Sequence, residues 1–197
     1  LQRMFHPDGE IGVGLAAEKF KTMFGVSSLG TASIEEVSKR IATPKLFQLY
    51  VHKDDGLNNY LIDQCIEHNF NAMAVTVDTA VGGNRERDLY TGFTIPLNLS
   101  LKSIVSFATR PAWAFNYLTK PKWELSNLNR HVTEGTNVMT SIGDYFTKML
   151  DNSLSWKKIE DIKKKWGKPL AIKGIMSVDD ARKAVDVGAS AIMISNH

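Results

Sequence analysis

The sequence predicts an α/β fold, an incomplete (β/α)8 or TIM barrel, from three observations. Residues 46–51, 72–78, 170–175 and 191–197 are apolar runs in which polar side chains stand near the C-terminal end. Parallel strands covered by helices on both faces are apolar nearly throughout. Helical signals alternate with these runs, the order expected of βαβ units with right-handed crossovers. Gln48, Tyr50, Thr76, Asp78, Lys173 and His197 crowd the strand ends, which is where a βα barrel carries its active site.

Each element follows in order. His6-Pro7-Asp8-Gly9-Glu10 is a turn into a helix reaching about Phe20, and residues 23–29 form a strand. Ser33-Ile34-Glu35-Glu36 has capping-box spacing, in which Ser and Glu satisfy exposed amides reciprocally, and opens a helix ending near Ile41. Pro44 precedes the strand at 46–51; a helix over 56–69 and the strand at 72–78 come next. Between Asp78 and Pro169 the alternation stops for far longer than an ordinary crossover. A helical insertion at about 89–150 is therefore expected, between strands 4 and 5 of a barrel represented by about strands 2 to 6. Ser155 caps a helix with Trp156, Ile159 and Ile162 at helical spacing. Ser177 opens another, with Ala181, Ala184 and Val185 facing inward and Gly188 as its stop. The last run, 191–197, reads as a buried strand.

The composition excludes several classes. A net charge of +3 with no long basic run argues against nucleic acid. The single cysteine, Cys65, rules out an internal disulfide framework and fits the reducing cytoplasm; its helical spacing to Leu61 predicts inert core packing. No window of about 18 apolar residues suggests a spanning helix, and Leu1-Gln2-Arg3 runs straight into the first turn without a leader. The chain does not begin with Met and stops inside a candidate site, so it reads as a fragment, 1–197 being one partial barrel domain. A closed barrel needs about 250 residues. His6, His52, His68 and His131 show no metal-ligand spacing, so no metal is expected.

The loop after the apolar run at 72–78, from Asp78 to Asp88, is glycine-containing and dense in charge. An arginine there is suited to holding a carboxylate through two parallel hydrogen bonds; by itself the loop reads more readily as a solvated segment with surface ion pairs. Taken together, Phe47-Gln48-Leu49-Tyr50, Thr76-Val77-Asp78, Gly83-Asn84-Arg85-Glu86-Arg87-Asp88, Ile172-Lys173-Gly174-Ile175 and Ser195-Asn196-His197 carry more. They resemble, in order and spacing, the FMN-dependent L-2-hydroxy-acid dehydrogenases and oxidases, the family of glycolate oxidase, flavocytochrome b2 and the bacterial L-lactate and mandelate dehydrogenases. His6-Pro7-Asp8-Gly9-Glu10 and Ser153-Leu154-Ser155-Trp156-Lys157 match as well, so the resemblance spans essentially the whole chain.

The resemblance implies FMN as cofactor and a small L-2-hydroxy acid as substrate, L-lactate first and mandelate next. It implies His197 as the base, a role suited to an imidazole that titrates near neutrality. Asp78 would orient that ring, Arg85 would hold the substrate carboxylate and Tyr50 would hydrogen-bond the substrate. Lys173 would face flavin N1 and O2, where negative charge collects on reduction, and Ser27, Gln48 and Thr76 would bind the isoalloxazine ring. Read singly, Thr76 is an ordinary β-branched strand residue and Ser27 an ordinary strand-end hydroxyl. A lysine inside an apolar strand is harder to treat as structural, because burying it unpaired is costly.

The chain departs from the family pattern at two places. Ala80 stands where several members have proline, and Leu29, followed by Gly30, replaces the large aromatic that shapes the glycolate oxidase pocket. The family's other substrate tyrosine, its second arginine and its flavin-phosphate loops after strands 7 and 8 fall outside these residues. Two other readings are a different FMN barrel, either oxidoreductase or isomerase, and a barrel remnant that binds without catalysing.

Between Asp88 and Glu124 there is no acidic residue, while Lys102, Arg110, Lys120 and Lys122 alternate with Phe93, Phe107, Trp113, Phe115, Tyr117 and Trp123. That mixture suits contact with an anionic bilayer through about 100–123. Arg110-Pro111-Ala112-Trp113-Ala114-Phe115 resembles the loop of the membrane-associated lactate and mandelate dehydrogenases. The resemblance implies a quinone or other electron acceptor, a peripheral position on the inner face of the cytoplasmic membrane and a tetramer. The alternative is a helical flap packed on the barrel around its own aromatics.

Overall fold

The structure is a computed structural model that describes residues 1–79, 86–91, 100–120, 124–128, 148–195 and 197. A short 3-10 turn at Gln2–Met4 leads into helix α1 (Gly9–Lys19), and strand β1 covers Phe24–Ser27. Then come α2 (Ile34–Arg40), β2 (Lys45–Tyr50), α3 (Asp55–Glu67) and β3 (Ala72–Thr76). Helices α4 (Glu86–Thr91), α5 (Leu101–Ala108) and α6 (Pro111–Thr119) lie in the interval read as an insertion. The chain continues through α7 (Trp156–Trp166), β4 (Leu170–Lys173), α8 (Val178–Asp186) and β5 (Ala191–Met193).

All neighbouring strands pair parallel, in the order β1-β2-β3-β4-β5. A doubly wound sheet reverses its strand order at a switch point; sequential order without reversal is the progression of a (β/α)8 barrel. The expected fold class therefore holds. Because every strand runs the same way, all five C-terminal ends reach one edge.

Local chemistry explains the helix starts. Ser33, Ser155 and Ser177 each accept a hydrogen bond from the backbone amide three residues on, as their spacing predicts. Asp54 does the same for Gly56 and Leu57, so α3 begins one residue before the expected position. Gly167 ends α7 in the left-handed conformation at φ 70°. The core lies between strands and helices, with Phe47 and Leu49 fully buried and Phe70 edge-on to Phe47 at 6.1 Å. Cys65 is buried there, and burial pushes its thiol pKa up, as inert packing requires.

Two expectations fail on burial. Val185 is 72% exposed while Ala184 is fully buried and Ala181 packs on the core. One residue turns an α-helix by about 100°, so the inward stripe runs through 181 and 184 and leaves 185 outside. Strand β5 is also exposed, with Ile192 at 42% and Met193 at 39%. Among the described elements only β4 packs closely on it, whereas β1, also bordered on one side, is covered by α1 and keeps Phe24 and Val26 buried. Both strands after the long interval are shorter than their apolar runs, ending at Lys173 and Met193.

The chain returning from the insertion is clasped to the end of β2. His52 forms an antiparallel bridge with Leu150, the Lys53 amide donates to the Met149 carbonyl at 2.9 Å, and the Asp151 amide donates to Val51 at 2.9 Å. Asn58 fastens the clasp to α3, accepting from the His52 amide at 2.8 Å and donating to its carbonyl at 2.7 Å. Burial lowers the His52 pKa from 6.5 to about 4, against the opposing effects of Asn58 and Asp54. As pH falls, the unfolded chain takes up this proton before the folded one does. The stabilisation is thus full above about 6.5 and lost as pH drops towards 4, on the order of 3 kcal/mol across the window. Urea midpoints measured from pH 7 to 4 should fall in the wild type, and His52→Gln should flatten that fall; equal slopes would remove His52 as its source.

Candidate active site

The site is built from register. Ser27 of β1 stands opposite Gln48 of β2, and Tyr50, Thr76 and Lys173 are successive partners across β2, β3 and β4. Side chains two apart on a strand share a face, which puts Gln48 and Tyr50 together. One face of the C-terminal edge thus carries a hydroxyl, an amide, a phenol, a second hydroxyl and an ammonium.

These groups form two connected clusters. In the first, Ser27 Oγ donates to Gln48 Oε1 at 2.8 Å, and Gln48 Nε2 donates to Thr76 Oγ1. The Leu29 amide closes the turn onto Ser27 Oγ at 3.2 Å. In the second, Lys173 Nζ lies 3.0 Å from Asp78 Oδ2, 3.3 Å from Asp78 Oδ1, 3.1 Å from Ser195 Oγ and 3.2 Å from His197 Nδ1. His197 Nδ1 is 3.0 Å from Asp78 Oδ1, while Nε2 lies 3.3 Å from the Tyr50 hydroxyl. Asp78 is the least exposed of the charged groups, at 10% of its side chain. Burial pushes its pKa up, but hydrogen bonds from Lys173, Ser195 and His197 and the lysine charge outweigh that and hold it below the usual carboxylate range. It is therefore an anion at neutral pH, able only to accept.

Gly174 makes the Lys173–Asp78 approach possible. Its φ is 109°, and a Cβ there would stand 2.5 Å from Asp78 Cβ and 2.9 Å from the Asp78 amide. Only glycine combines that backbone with that neighbour.

Of the residues expected at the site, Ser27, Gln48, Tyr50, Thr76, Asp78, Lys173 and His197 come together; Arg85 lies outside the described residues. Ser195 and Gly174 were visible only as members of motifs. A polar residue two positions before a strand-end histidine, and a glycine following a strand-end lysine, were the signals available for them. A cleft of about 250 Å³ also opens nearby, lined by Thr76, Thr79, Asp151, Ser155, Trp156 and Gly174. It lies between the strand ends and α7 and is not the place where the charged groups converge.

An ionised carboxylate on one imidazole nitrogen, with the other nitrogen turned to a phenol, is an arrangement for moving a proton at Nε2. The row Ser27–Gln48–Thr76 offers donors and acceptors along one line with an ammonium beyond it. That set fits the hydrogen-bonding edge of a flavin ring and the end of it that gathers negative charge.

Comparison with known proteins places the chain in a family. The family FMN-dependent dehydrogenase matches residues 1–197. An L-lactate dehydrogenase of Alcaligenes faecalis is 36% identical over 100% of this chain and 52% of its own length. Glycolate oxidase 3 of Arabidopsis thaliana is 34% identical, with 100% and 48% covered. Among solved structures, the monotopic membrane protein (S)-mandelate dehydrogenase superposes with a TM-score of 0.90 at 26% identity, over 100% of this chain and 52% of that one. A mandelate oxidase gives 0.74 at 27%, over 100% and 46%. The chain spans about half the length of the relatives it matches. With flavin-compatible groups aligned on four adjacent strand ends and the family match running from the first residue to the last, the chain belongs to the FMN-dependent dehydrogenase family.

Proposed function

We propose that the protein carrying this chain oxidises an L-2-hydroxy acid to the 2-oxo acid, with L-lactate the first candidate and mandelate the second. One observation carries the reading: His197 bonds an anionic carboxylate through Nδ1 and turns Nε2 towards the Tyr50 hydroxyl. In this reading residues 1–197 act as one partial barrel domain, with about 89–150 inserted. Tyr50 and Arg85 hold the substrate, Arg85 by its carboxylate. His197 Nε2 takes a proton from the substrate, and Asp78 stabilises the imidazolium that forms. Bound FMN supplies the two-electron acceptor. Ser27, Gln48 and Thr76 would hold its ring, and the Lys173 ammonium would favour the charge gained on reduction.

The membrane is the second part of the proposal. Trp113 is stacked between Phe107 and Tyr117, each at 5.0 Å, and its indole N–H donates to the Met4 carbonyl at 3.1 Å, anchoring α6 to the start of the chain. The same helix pair leaves Leu101 84%, Leu118 80%, Phe115 66% and Val105 63% exposed. No helix among the described residues is long and apolar enough to cross a membrane. An apolar surface in a segment whose formal charges are all basic suits lying on an anionic bilayer. The likeness to a monotopic (S)-mandelate dehydrogenase supports this. Peripheral contact on the inner face of the cytoplasmic membrane through about 100–123 would bring the flavin's electrons to a quinone.

In the full-length, flavin-loaded protein, anaerobic addition of L-lactate or L-mandelate should bleach the flavin and the D-enantiomers should not; no bleaching by any acid of the panel would sink the reading. His197→Gln should keep its yellow flavin but lose the bleaching, and rapid reduction in that variant would contradict the base assignment. Arg85→Met should lower kcat/KM by on the order of 100-fold, acting on kcat as well as KM because the clamp positions the reacting carbon; wild-type turnover would remove Arg85 from the site. Sedimentation with anionic liposomes tests the surface: Leu101→Gln combined with Leu118→Gln should leave the protein in the supernatant, whereas unchanged pelleting would exclude this face.

A further inference from the structure

His197 can act as a base at Nε2 only if its proton sits on Nδ1. Nothing in an isolated imidazole enforces that choice, since either nitrogen can carry the hydrogen. Two groups compete for Nδ1 here. Asp78 Oδ1, at 3.0 Å, is an acceptor and favours Nδ1–H; Lys173 Nζ, at 3.2 Å, is a donor and favours a bare Nδ1 with the proton on Nε2. A lysine directed at Nδ1 would therefore disable the base without moving it.

Counting donors shows what prevents this. The ammonium has three N–H groups and no acceptor. Asp78 Oδ2 takes one at 3.0 Å and Ser195 Oγ takes one at 3.1 Å. The third lies between Asp78 Oδ1 at 3.3 Å and His197 Nδ1 at 3.2 Å and is the one left for the flavin edge proposed above. Without the Ser195 oxygen another N–H would need an acceptor, and among the described residues the Nδ1 lone pair is the nearest alternative outside Asp78. Ser195 also accepts from the His197 amide at 3.0 Å. That bond supports the left-handed backbone of His197, with φ 61°, an uncommon conformation for a residue with a side chain. Both lone pairs of one hydroxyl are thus used, one on the lysine and one on the base's own backbone.

We propose that Ser195 is a positioning residue that sets the tautomer of His197, by drawing a Lys173 donor away from Nδ1 and holding the backbone that presents the ring to Asp78. The catalytic consequence rests on the function proposed above; the tautomer itself does not.

The experiment uses full-length, flavin-loaded protein labelled with ¹⁵N-histidine, as wild type, Ser195→Ala and Ser195→Thr. Ring ¹⁵N shifts should report Nδ1–H for His197 in the wild type and a redistribution towards Nε2–H in Ser195→Ala. The same variant should lose on the order of 10- to 100-fold in kcat, with KM within about twofold, because a base is being withheld rather than a substrate contact removed. Ser195→Thr retains the hydroxyl and should restore both readouts. Should the alanine variant lose its flavin, Ser195→Cys fills the space with a weak acceptor and should give the same two changes. An unchanged tautomer in the alanine or cysteine variant overturns the proposal. If no 2-hydroxy acid reduces the wild-type flavin, the function proposed above fails, and the ring shifts still decide the role of Ser195.

Discussion

A single carboxylate, Asp78, serves two cationic or ionisable partners, the Lys173 ammonium and the His197 imidazole, which lie 95 and 119 residues away in sequence. A half-buried lysine and a histidine side by side would repel each other once the ring is protonated; an anion held between them removes that conflict. Asp78 can do so only because Gly174 has no side chain, its would-be Cβ lying 2.7 Å from the Asp78 carboxyl carbon. The glycine after the lysine is thus part of the electrostatics as much as of the backbone. It lets a carboxylate from the end of one strand reach the ammonium of the next.

The parallel sheet supplies the other half of the arrangement. Five strands in sequential order bring five C-terminal ends to one edge, and the register sets Tyr50, Thr76 and Lys173 side by side. Rigid strands position polar ends, and the loops beyond them complete the chemistry. The clasp of residues 149–151 onto 51–53 adds to it. It fastens the chain that follows the long interval beside the end of the strand that carries Tyr50.

Much of this was legible in the chain. Strand positions followed from apolar runs, and helix starts from Ser33, Ser155 and Ser177, because capping is a local interaction between residues three apart. The clustering of Ser27, Gln48, Tyr50, Thr76, Asp78, Lys173 and His197 was also readable, since each stands at or just past a strand end and parallel strands share an edge. What was not legible depended on neighbours. The β5 residues look as apolar as those of β3, and only the packing shows that no described helix lies closely on them. Ala184 and Val185 differ in burial by their angle on a helix rather than by their hydrophobicity. Ser195 is an unremarkable hydroxyl in sequence, and its importance comes from a lysine 22 residues earlier that needs somewhere to direct an N–H.

The α5–α6 pair shows why composition alone left two readings open. Mixed aromatics and basic residues suit both a small packed core and the membrane surface proposed above, and the structure separates a stacked set of side chains from an exposed one. Trp113, flanked by Phe107 and Tyr117 and tied to the Met4 carbonyl, is the packed part. Leu101, Val105, Phe115 and Leu118 remain outside it. An aromatic anchor on the inner side stiffens the pair, so the outer apolar residues need little further ordering to meet a flat surface. The packed-flap reading and the membrane proposal therefore draw on different side chains and do not compete for the same ones.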